Sequence, residues 1–421
     1  AIYVTQESGS IQRGIDAATA GETVYVGAGT FVENLTISKK LSLVGSGNGA
    51  DPLVNTIVAG GAASAVVLTA GGDGAADRLV ISNLRLTGTT NGVLIDSVIG
   101  YITFDDVAVA GFTYGLEIHN NANIADLRIT DSLFDSCNTG IRKSTSGRID
   151  GLYIENSAFN GGIHGINVAQ GNGTSPLAFN NVTVSSCTFE GISSKGIYAE
   201  ALSNALLENN RFTSCGTNGA WAAGIDINLK YGAYQNIDIL NSEFANCGTG
   251  DAVNGAGLTK ARDDGSYAGN PATLTDVLLS GLTVTGSPDG IRLGETAKNN
   301  AGPTEVQITN CSLGGNLLSG LRNETLASVD ADNNWWGSAT GPANATNPGG
   351  TGAAVAGNVD FSPWLAVGTE DSSTGSAIGF QPAADAGVFY LPASLAFTQQ
   401  PGGAALGVAL DPQPTVTVYD E

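Results

Sequence analysis

The chain lacks several features that define common protein classes. It has no methionine and only two histidines, and 13% of its 421 residues are charged. No apolar run approaches the roughly 20 residues that a membrane-spanning helix needs, so we expect no membrane insertion. The 39 acidic residues outnumber the 17 basic ones, which gives a net charge of −22. This balance argues against nucleic acid as a partner, because phosphate contacts require a basic patch.

What the chain has in abundance is glycine, with 59 residues, and one repeated motif. Residues 127–141 (LRITDSLFDSCNTGI) indicate a short strand, a turn at Asp131, a buried Phe134, a second turn ending at Gly140, and a new strand. Copies of the motif align on one apolar anchor, and the anchors lie 23 to 40 residues apart. The anchors are Leu86, Val109, Phe134, Phe159, Phe189, Phe212, Phe244, Val284, Leu313 and Trp336. Such a period is typical of a solenoid.

The residues between the anchors predict the kind of solenoid. Three positions before each anchor the chain has residues that tolerate a left-handed turn. These residues are Asn83, Asp106, Asp131, Asn156, Ser186, Asn209, Asn241, Gly281, Asn310 and Asn333. Between the turns alternate positions are apolar, as in a half-buried strand. We therefore predict an all-β fold, a right-handed parallel β-helix with a short N-terminal capping helix and a small C-terminal β segment.

The five cysteines follow the same repeat. Cys137, Cys215 and Cys247 each lie three residues after an anchor, and Cys187 and Cys311 lie two residues before one. This placement predicts an inward ladder of small buried side chains. A disulfide between Cys215 and Cys247 on neighbouring coils is the alternative, although stacked strands lie slightly beyond ideal disulfide geometry. No CxxC or Cys/His cluster suggests zinc or an iron–sulfur centre.

Composition divides the chain into four segments. Residues 1–50 predict an N-terminal cap and the first coils, with Ser10 capping a helix, and residues 51–366 predict the β-helix. Residues 367–389 are rich in Ser, Gly, Asp and Ala and predict a linker, and residues 390–421 contain strand-like runs broken by Pro and Gly. We expect that a secretion signal preceded residue 1 and was removed.

Short stretches carry a resemblance to a known superfamily. The pieces IQRGIDAA, GTFVENL and LSLVGSG resemble the opening coils of pectate-lyase-like β-helix proteins, and DNNWWGSATG with NVDFSPWL resembles the closing coil of secreted bacterial relatives. The resemblance implies a right-handed parallel β-helix. In the closing coil, Trp335, Trp336 and Trp364 are interpreted as caps of the core, with carbohydrate stacking as the alternative.

Residues 390–421 resemble the first strands of the immunoglobulin-like repeats of large bacterial surface proteins. Those domains need about seven strands, and this segment supplies two or three. We expect either that the chain is one end of a longer polypeptide or that these strands dock on other subunits.

Candidate ligand-binding residues lie on one outward ladder and on two insertions. Two residues after each turn glycine, the ladder includes Arg142, Tyr198, Asp226 and Arg292. It is either a solvated polar stripe or a binding face. The insertions add Trp221, Lys260, Arg262 and Tyr267, with Asp263 and Asp264 as candidate metal ligands. An aromatic ring beside these charges suits a sugar acid or a calcium-bridged ligand, so Ca²⁺ is a possible cofactor; mere surface cover is the alternative.

Catalytic signatures of the resembling enzymes are missing. The NTD, paired DD and GHG series of polygalacturonases does not occur, and residues 29–33 (GTFVE) only imitate the GxYxE motif of pectin methylesterases. His119 and His164 are interpreted as incidental, with a general base as the alternative; we place His164 in a tight loop before Gly165. We therefore assign no catalytic residue.

Three functional classes remain open. The first is an extracellular structural or adhesive module of a large surface protein or fibre, which associates through its C-terminal strands. The second is a carbohydrate-active enzyme of the lyase or hydrolase type, and the third is a glycan-binding module that takes extracellular polysaccharide. We favour the first class, and we expect a secreted or cell-surface location for all three.

Overall fold

The computed structural model describes residues 1–7, 9–260, 272–296, 302–371, 378–403, 406–410 and 412–420. In these residues the chain forms a parallel β-helix, in which successive coils stack and like positions form columns. Nearly all regular structure is β, with one α-helix near the N-terminus and one short 3₁₀ turn at Pro176–Ala178. The predicted fold class is confirmed.

The N-terminal coils contain the α-helix and seven short strands. Their bounds are β1 Ile2–Val4, α1 Ile11–Ala17, β2 Thr23–Val26, β3 Gly29–Phe31, β4 Leu35–Ile37, β5 Ser42–Val44, β6 Thr56–Ala59 and β7 Val66–Leu68.

The central coils repeat a longer pattern of strands. Their bounds are β8 Leu79–Thr87, β9 Asn91–Ile95, β10 Val98–Ala110, β11 Tyr114–Ile118, β12 Asn123–Thr130, β13 Leu133–Asp135, β14 Thr139–Lys143, β15 Arg148–Glu155, β16 Ala158–Asn160, β17 His164–Val168, β18 Phe179–Ser185, β19 Thr188–Glu190, β20 Lys195–Ala199, β21 Ser203–Glu208, β22 Arg211–Thr213, β23 Ala223–Ile227, β24 Ala233–Leu240, β25 Glu243–Ala245, β26 Ala256–Lys260, β27 Thr273–Ser280, β28 Thr283–Thr285, β29 Asp289–Leu293, β30 Thr304–Thr309 and β31 Ser319–Asn323.

The C-terminal part has shorter strands and an antiparallel hairpin. Their bounds are β32 Val329–Asp330, β33 Pro342–Ala343, β34 Gly352–Ala356, β35 Val359–Asp360, β36 Trp364–Leu365, β37 Val388–Phe389, β38 Pro392–Gln399 and β39 Thr415–Asp420. The hairpin pairs β38 with β39.

Each central coil contributes to two sheets. Strands such as β12 and β15 pair in parallel in sheet A, with Ile129 opposite Ile154. Sheet B stacks the five-residue strands, and its order runs from β4 through β7, β9, β11, β14, β17, β20, β23, β26, β29 and β31 to β34 and β33. Because parallel register places equivalent residues on top of one another, each column along the helix axis has its own chemistry.

The predicted turn column is confirmed. All ten residues from Asn83 to Asn333 that precede the anchors by three have positive φ, between 47° and 67°. The second turn, however, ends earlier than predicted: Ser136 has the positive φ of 55°, and β14 already begins at Thr139. Gly140 therefore lies inside a strand. It must be glycine because an added Cβ would lie 2.7 Å from the ring of Phe159.

The anchors form one continuous interior column. Phe134, Phe159, Phe189, Phe212 and Phe244 stack ring on ring, with centroids 4.6 to 4.9 Å apart and planes within 7° of parallel. Each ring is at most 4% exposed. The spacing equals the rise of the coils, so the register of the sheets also sets the stacking distance.

The cysteines are buried thiols, as the inward-ladder prediction requires. All five are free, including Cys215 and Cys247, so the disulfide alternative is not seen. Burial raises the pKa of Cys137 to about 11 and that of Cys311 to about 12. Thiols so protonated are poor nucleophiles and serve here as small apolar side chains.

Both ends of the rod are covered. Ser10 caps α1 by accepting a hydrogen bond from the Arg13 backbone N–H at 3.1 Å, and Ile11 and Ile15 of α1 are buried in the first coils. At the other end Trp336 is fully buried and Trp364 is 5% exposed, which confirms their capping role. Trp335 instead packs against a small separate cluster of Leu365, Phe380 and Ala386.

Candidate active site on sheet B

The outer surface of sheet B carries two polar columns. One stands immediately before the strand glycine and contains His164 and Lys195, which pair in register. The other stands two residues after that glycine and contains Arg142, Asn167 and Tyr198. We call these five residues the sheet-B face; Lys195 is buried, with 9% of its surface exposed, and the other four are partly accessible. They occupy three successive coils, so the face extends about 10 Å along the axis.

His164 is the first residue of β17, so its predicted place in a loop is wrong. The loop ends one residue earlier because Gly165 belongs to the strand, where the ring of Phe189 leaves no room for a side chain. Burial, followed by the charge of Lys195, lowers the pKa of His164 to about 4. The imidazole is therefore neutral at physiological pH and has a lone pair available to accept a proton.

Lys195 and Tyr198 lie on the next coil, beside His164. The Lys195 ammonium sits 5.4 Å from the centre of the Tyr198 ring and 3.7 Å from Asp226 Oδ2. The His164 and Tyr198 rings are 6.1 Å apart and tilted by 44°. A neutral base, an ammonium group and a phenol thus meet on adjacent strands.

Two hydrogen bonds hold the Tyr198 hydroxyl in place. It donates to Glu200 Oε1 at 2.8 Å and accepts from Asn228 Nδ2 at 3.0 Å. Glu200 is also paired with Lys230. Burial and the nearby carboxylates raise the pKa of Tyr198 far above its ordinary value. Tyr198 therefore keeps its proton, and its hydroxyl acts as a hydrogen-bond donor and not as a base.

The rest of the predicted outward ladder is not solvated. Asp226 and Arg292 are each 1% exposed. Arg292 forms an ion pair with the fully buried Asp289 at 2.9 Å, and Arg322 approaches the same carboxylate at 3.0 Å. These residues form a covered ionic network, in contrast to Arg142, whose guanidinium lies over the Tyr114 ring and stays partly exposed.

Trp221 is partly exposed and lies next to this covered network. Its ring lies 5.2 Å from the Arg292 guanidinium, and its backbone N–H donates to Asp251. Lys260 ends β26, in register with Ile227 and Leu293. The other predicted insertion residues, which are Arg262, Asp263, Asp264 and Tyr267, lie outside the described residues, and with them the calcium prediction.

The other histidine has a different environment. His119 lies after β11, and its Nδ1 is 3.0 Å from Asp96 Oδ1 at the surface. No group of three or more metal-binding side chains occurs within the described ranges, and no helix there is long and apolar enough to cross a membrane.

Sequence reasoning singled out Arg142 and Tyr198, which lie on this face, but did not pair His164 with Lys195. Both residues precede a strand glycine, at positions 164 and 195. Aligning that column, as was done for the position after the glycine, would have placed an imidazole over an ammonium on neighbouring coils.

Comparison with known proteins agrees with the fold. Residues 114–262 match the family model described as the right handed beta helix region. This match and the coil topology confirm the fold implied by the resemblance to pectate-lyase-like proteins. No curated protein sequence matches the chain.

Several solved structures are similar at low identity. The alginate lyase AlyGC of the PL6 family aligns at 12% identity and a TM-score of 0.48, over 91% of this chain and 57% of its own length. The chain thus spans a little over half of that enzyme. A mannuronic acid specific family 6 lyase from human gut microbiota aligns at 11% and 0.44, over 83% and 90%. The tailspike gp49 from Acinetobacter baumannii bacteriophage Fri1, a capsular polysaccharide depolymerase, aligns at 12% and 0.36, over 79% and 57%.

Proposed function

We propose that the chain is a secreted, carbohydrate-active β-helix protein that cleaves an acidic polysaccharide by β-elimination on the sheet-B face. The observation that carries the proposal is the neutral imidazole of His164 beside the Lys195 ammonium and the Tyr198 phenol. Proton abstraction next to a carboxylate requires a base and a cation that stabilises the developing charge, and His164 and Lys195 supply these two groups.

The reaction assigns a role to each group. His164 takes the proton from the carbon that bears the uronate carboxylate, and Lys195 stabilises the negative charge that develops on that carboxylate. The electron pair forms a carbon–carbon double bond and breaks the neighbouring bond to the glycosidic oxygen. The imidazolium formed on His164 then donates its proton to the departing oxygen, which returns His164 to its neutral form, and the Tyr198 ring lies beside it.

Substrate binding improves the base. A uronate carboxylate beside His164 adds negative charge, which raises the pKa of the imidazole from its low value in the free protein. Arg142, on the coil before His164, is a second, partly exposed cation on the same face, although it already forms an ion pair with Glu117 at 3.0 Å. Arg142 and Lys195 lie two coils apart, so they can contact carboxylates on different sugar residues of one polymer.

The experiment is a search for unsaturated uronate, whose ultraviolet absorbance rises as the double bond forms. Wild-type protein is incubated with alginate, polygalacturonate and other polyuronates. We expect a rise with at least one polymer, and we expect His164→Ala to lower its rate by about 10²- to 10⁴-fold. His119→Ala is the matched control, because it removes the other histidine away from the sheet-B face. A flat absorbance with every polyuronate, or full activity of H164A, would refute the proposal.

A second candidate is an extracellular structural or adhesive module, favoured by the C-terminal hairpin. Phe397, Val416 and Val418 on β38 and β39 are each more than half exposed. Apolar side chains on an open hairpin suit pairing with another subunit or with an immunoglobulin-like neighbour. Deletion of residues 390–421 followed by analytical ultracentrifugation tests this idea, which fails if self-association is unchanged.

A further inference from the structure

A shallow groove runs along the helix axis on sheet A, away from the sheet-B face. It encloses about 550 Å³ and crosses six coils between Tyr101 and Asn236. We call it the axial groove. Its wall includes Asp126, Asp150 and Tyr153, and it has no role in the function proposed above.

The groove arises from a second column of bent residues. Tyr101, Asp126, Gly151, Asn181, Asn204 and Asn236 all have positive φ, between 51° and 87°. Each bend interrupts the pairing of a sheet A strand. For example, Ala125 pairs with Gly100 and Leu127 pairs with Ile102, but Asp126 between them is not paired in the ladder. Because the bends stack from coil to coil, the concave surface at each bend joins the next one and forms the continuous axial groove.

Amide side chains along the groove hydrogen-bond in one direction. Asn236 donates to Asn204 at 3.1 Å, Asn204 donates to Asn180 at 2.8 Å, and Asn180 donates to Asp150 at 3.1 Å. Asn181 also donates to Asp150, at 2.6 Å. The chain of contacts ends on a carboxylate and fixes the amide orientations, so the groove presents ordered polar groups at intervals of one coil.

Aromatic rings complete the surface. Tyr153 is 39% exposed, and one side of its ring is covered by the Arg128 guanidinium at 5.2 Å. Arg128 is itself ion-paired with Asp126. Tyr101 lies two coils earlier, about 10 Å along the axis. Flat, half-exposed rings beside hydrogen-bonding groups provide stacking surfaces for pyranose rings.

We propose that the axial groove binds a neutral polysaccharide strand, aligned with the helix axis. The coil rise of about 4.8 Å is close to the length of one sugar residue, so successive sugars meet equivalent positions. The residues lining the groove include three aspartates. Asp126 is ion-paired with Arg78 and Arg128 beside the groove, whereas Asp150 accepts hydrogen bonds from the neutral amides of Asn180 and Asn181. Carboxylates and amides accept hydrogen bonds from sugar hydroxyls, and the negative charge of the carboxylates disfavours a uronate polymer. This site is independent of the sheet-B face, which carries cations.

Calorimetric titration with neutral hexasaccharides tests the proposal. The probes are cellohexaose, mannohexaose and xylohexaose, with hexamannuronate as the acidic comparison. We expect at least one neutral probe to bind, and we expect Tyr153→Ala to weaken its binding at least tenfold, because the stacking surface is lost. Asp150→Ala should weaken it too, since the orienting chain of amides loses its terminal acceptor. Thermal unfolding of both variants confirms that they remain folded.

Two controls separate this site from the rest of the molecule. Tyr3→Ala removes a tyrosine that is 74% exposed on the first coil and should leave binding unchanged. His164→Ala should also bind as wild type does, whether or not it loses activity on polyuronates. The proposal is overturned if no neutral hexasaccharide binds, if Y153A binds as tightly as wild type, or if hexamannuronate competes for the same site.

Discussion

The phenylalanine column and the sheet-B face lie on the same coils but obey different rules. Inside, one residue type repeats through five coils, from Phe134 to Phe244, at nearly constant spacing. Outside, the column before the strand glycine changes at every step, from His164 to Lys195 to Ala223. Stacking therefore favours the same residue type at each step of the interior column, whereas the residue types of an outward column can differ from coil to coil.

This difference separates stability from chemistry. A repeated ring packs equally well against its neighbours above and below, so the interior column serves the fold alone. Two unlike groups, such as His164 and Lys195, become neighbours only because the interior holds their strands in register. We infer that function in this chain resides where an outward column breaks its pattern.

The largest expected effect comes from the centre of the interior column. Phe189→Ala removes a fully buried ring that stacks on Phe159 and Phe212. We expect a loss of about 4 to 5 kcal/mol in the free energy of unfolding, because a cavity and two stacking contacts are involved. Guanidinium chloride unfolding measures it. Phe397→Ala on the exposed hairpin is the matched control, and an equal effect there would contradict the comparison.

The covered ionic network should respond almost as strongly. Asp289→Ala removes the buried carboxylate shared by Arg292 and Arg322 and leaves them the longer ion pairs with Glu324, so we expect a loss of about 3 kcal/mol. Glu243→Ala removes a partly exposed partner of Arg211 and should cost at most about 1 kcal/mol. Both variants are compared by the denaturant midpoint. Similar losses of stability in the two variants would show that the burial of Asp289 does not make its ion pairs more important than that of Glu243.

The fold could be predicted from the sequence because each coil repeats the same local requirements. The residue three before Phe134 must accept positive φ, and Asp131 does so with φ of 49°. Such requirements recur ten times, so chance variation at one copy does not hide them. The end of the second turn was placed too late because Gly140 signals close packing against Phe159 and not a turn.

The candidate site could be predicted only in part, because it depends on contacts between coils of unequal length. The interval from His164 to Lys195 includes an insertion, so a constant spacing does not predict their register, and it follows only when the strand glycines Gly165 and Gly196 are aligned. Covering by neighbouring loops is also invisible, which is why Arg292 was expected on a ligand face but is 1% exposed.

The sheet-B face should make the free energy of unfolding depend on pH through His164, whereas the phenylalanine column has no group that titrates. Its pKa of about 4 in the folded protein lies below the ordinary 6.5. As pH falls from 6.5 to 4, the unfolded chain binds a proton that the folded chain does not, so His164 lowers stability in this window. Partial exposure limits the effect to about 1 to 2 kcal/mol. The measurement is the difference in unfolding free energy between wild type and His164→Gln at pH 7 and at pH 4.5. A difference that does not change with pH would mean that the imidazole is not held neutral.

We expect the smallest loss of stability in the turn column, which lies at the surface but repeats as regularly as the interior column. Asn156 has φ of 50° and an exposed side chain, so its conformation, not its burial, is what the fold requires. Asn156→Ala should cost about 1 kcal/mol, because alanine lacks the amide that lets asparagine tolerate the left-handed region, whereas Asn156→Gly should be nearly neutral because glycine has no Cβ. Asn123→Ala, at an exposed position of β12 without positive φ, controls for loss of the amide. An equal loss for Asn156→Gly and Asn156→Ala would mean that the turn column depends on the asparagine side chain itself and not on tolerance of positive φ.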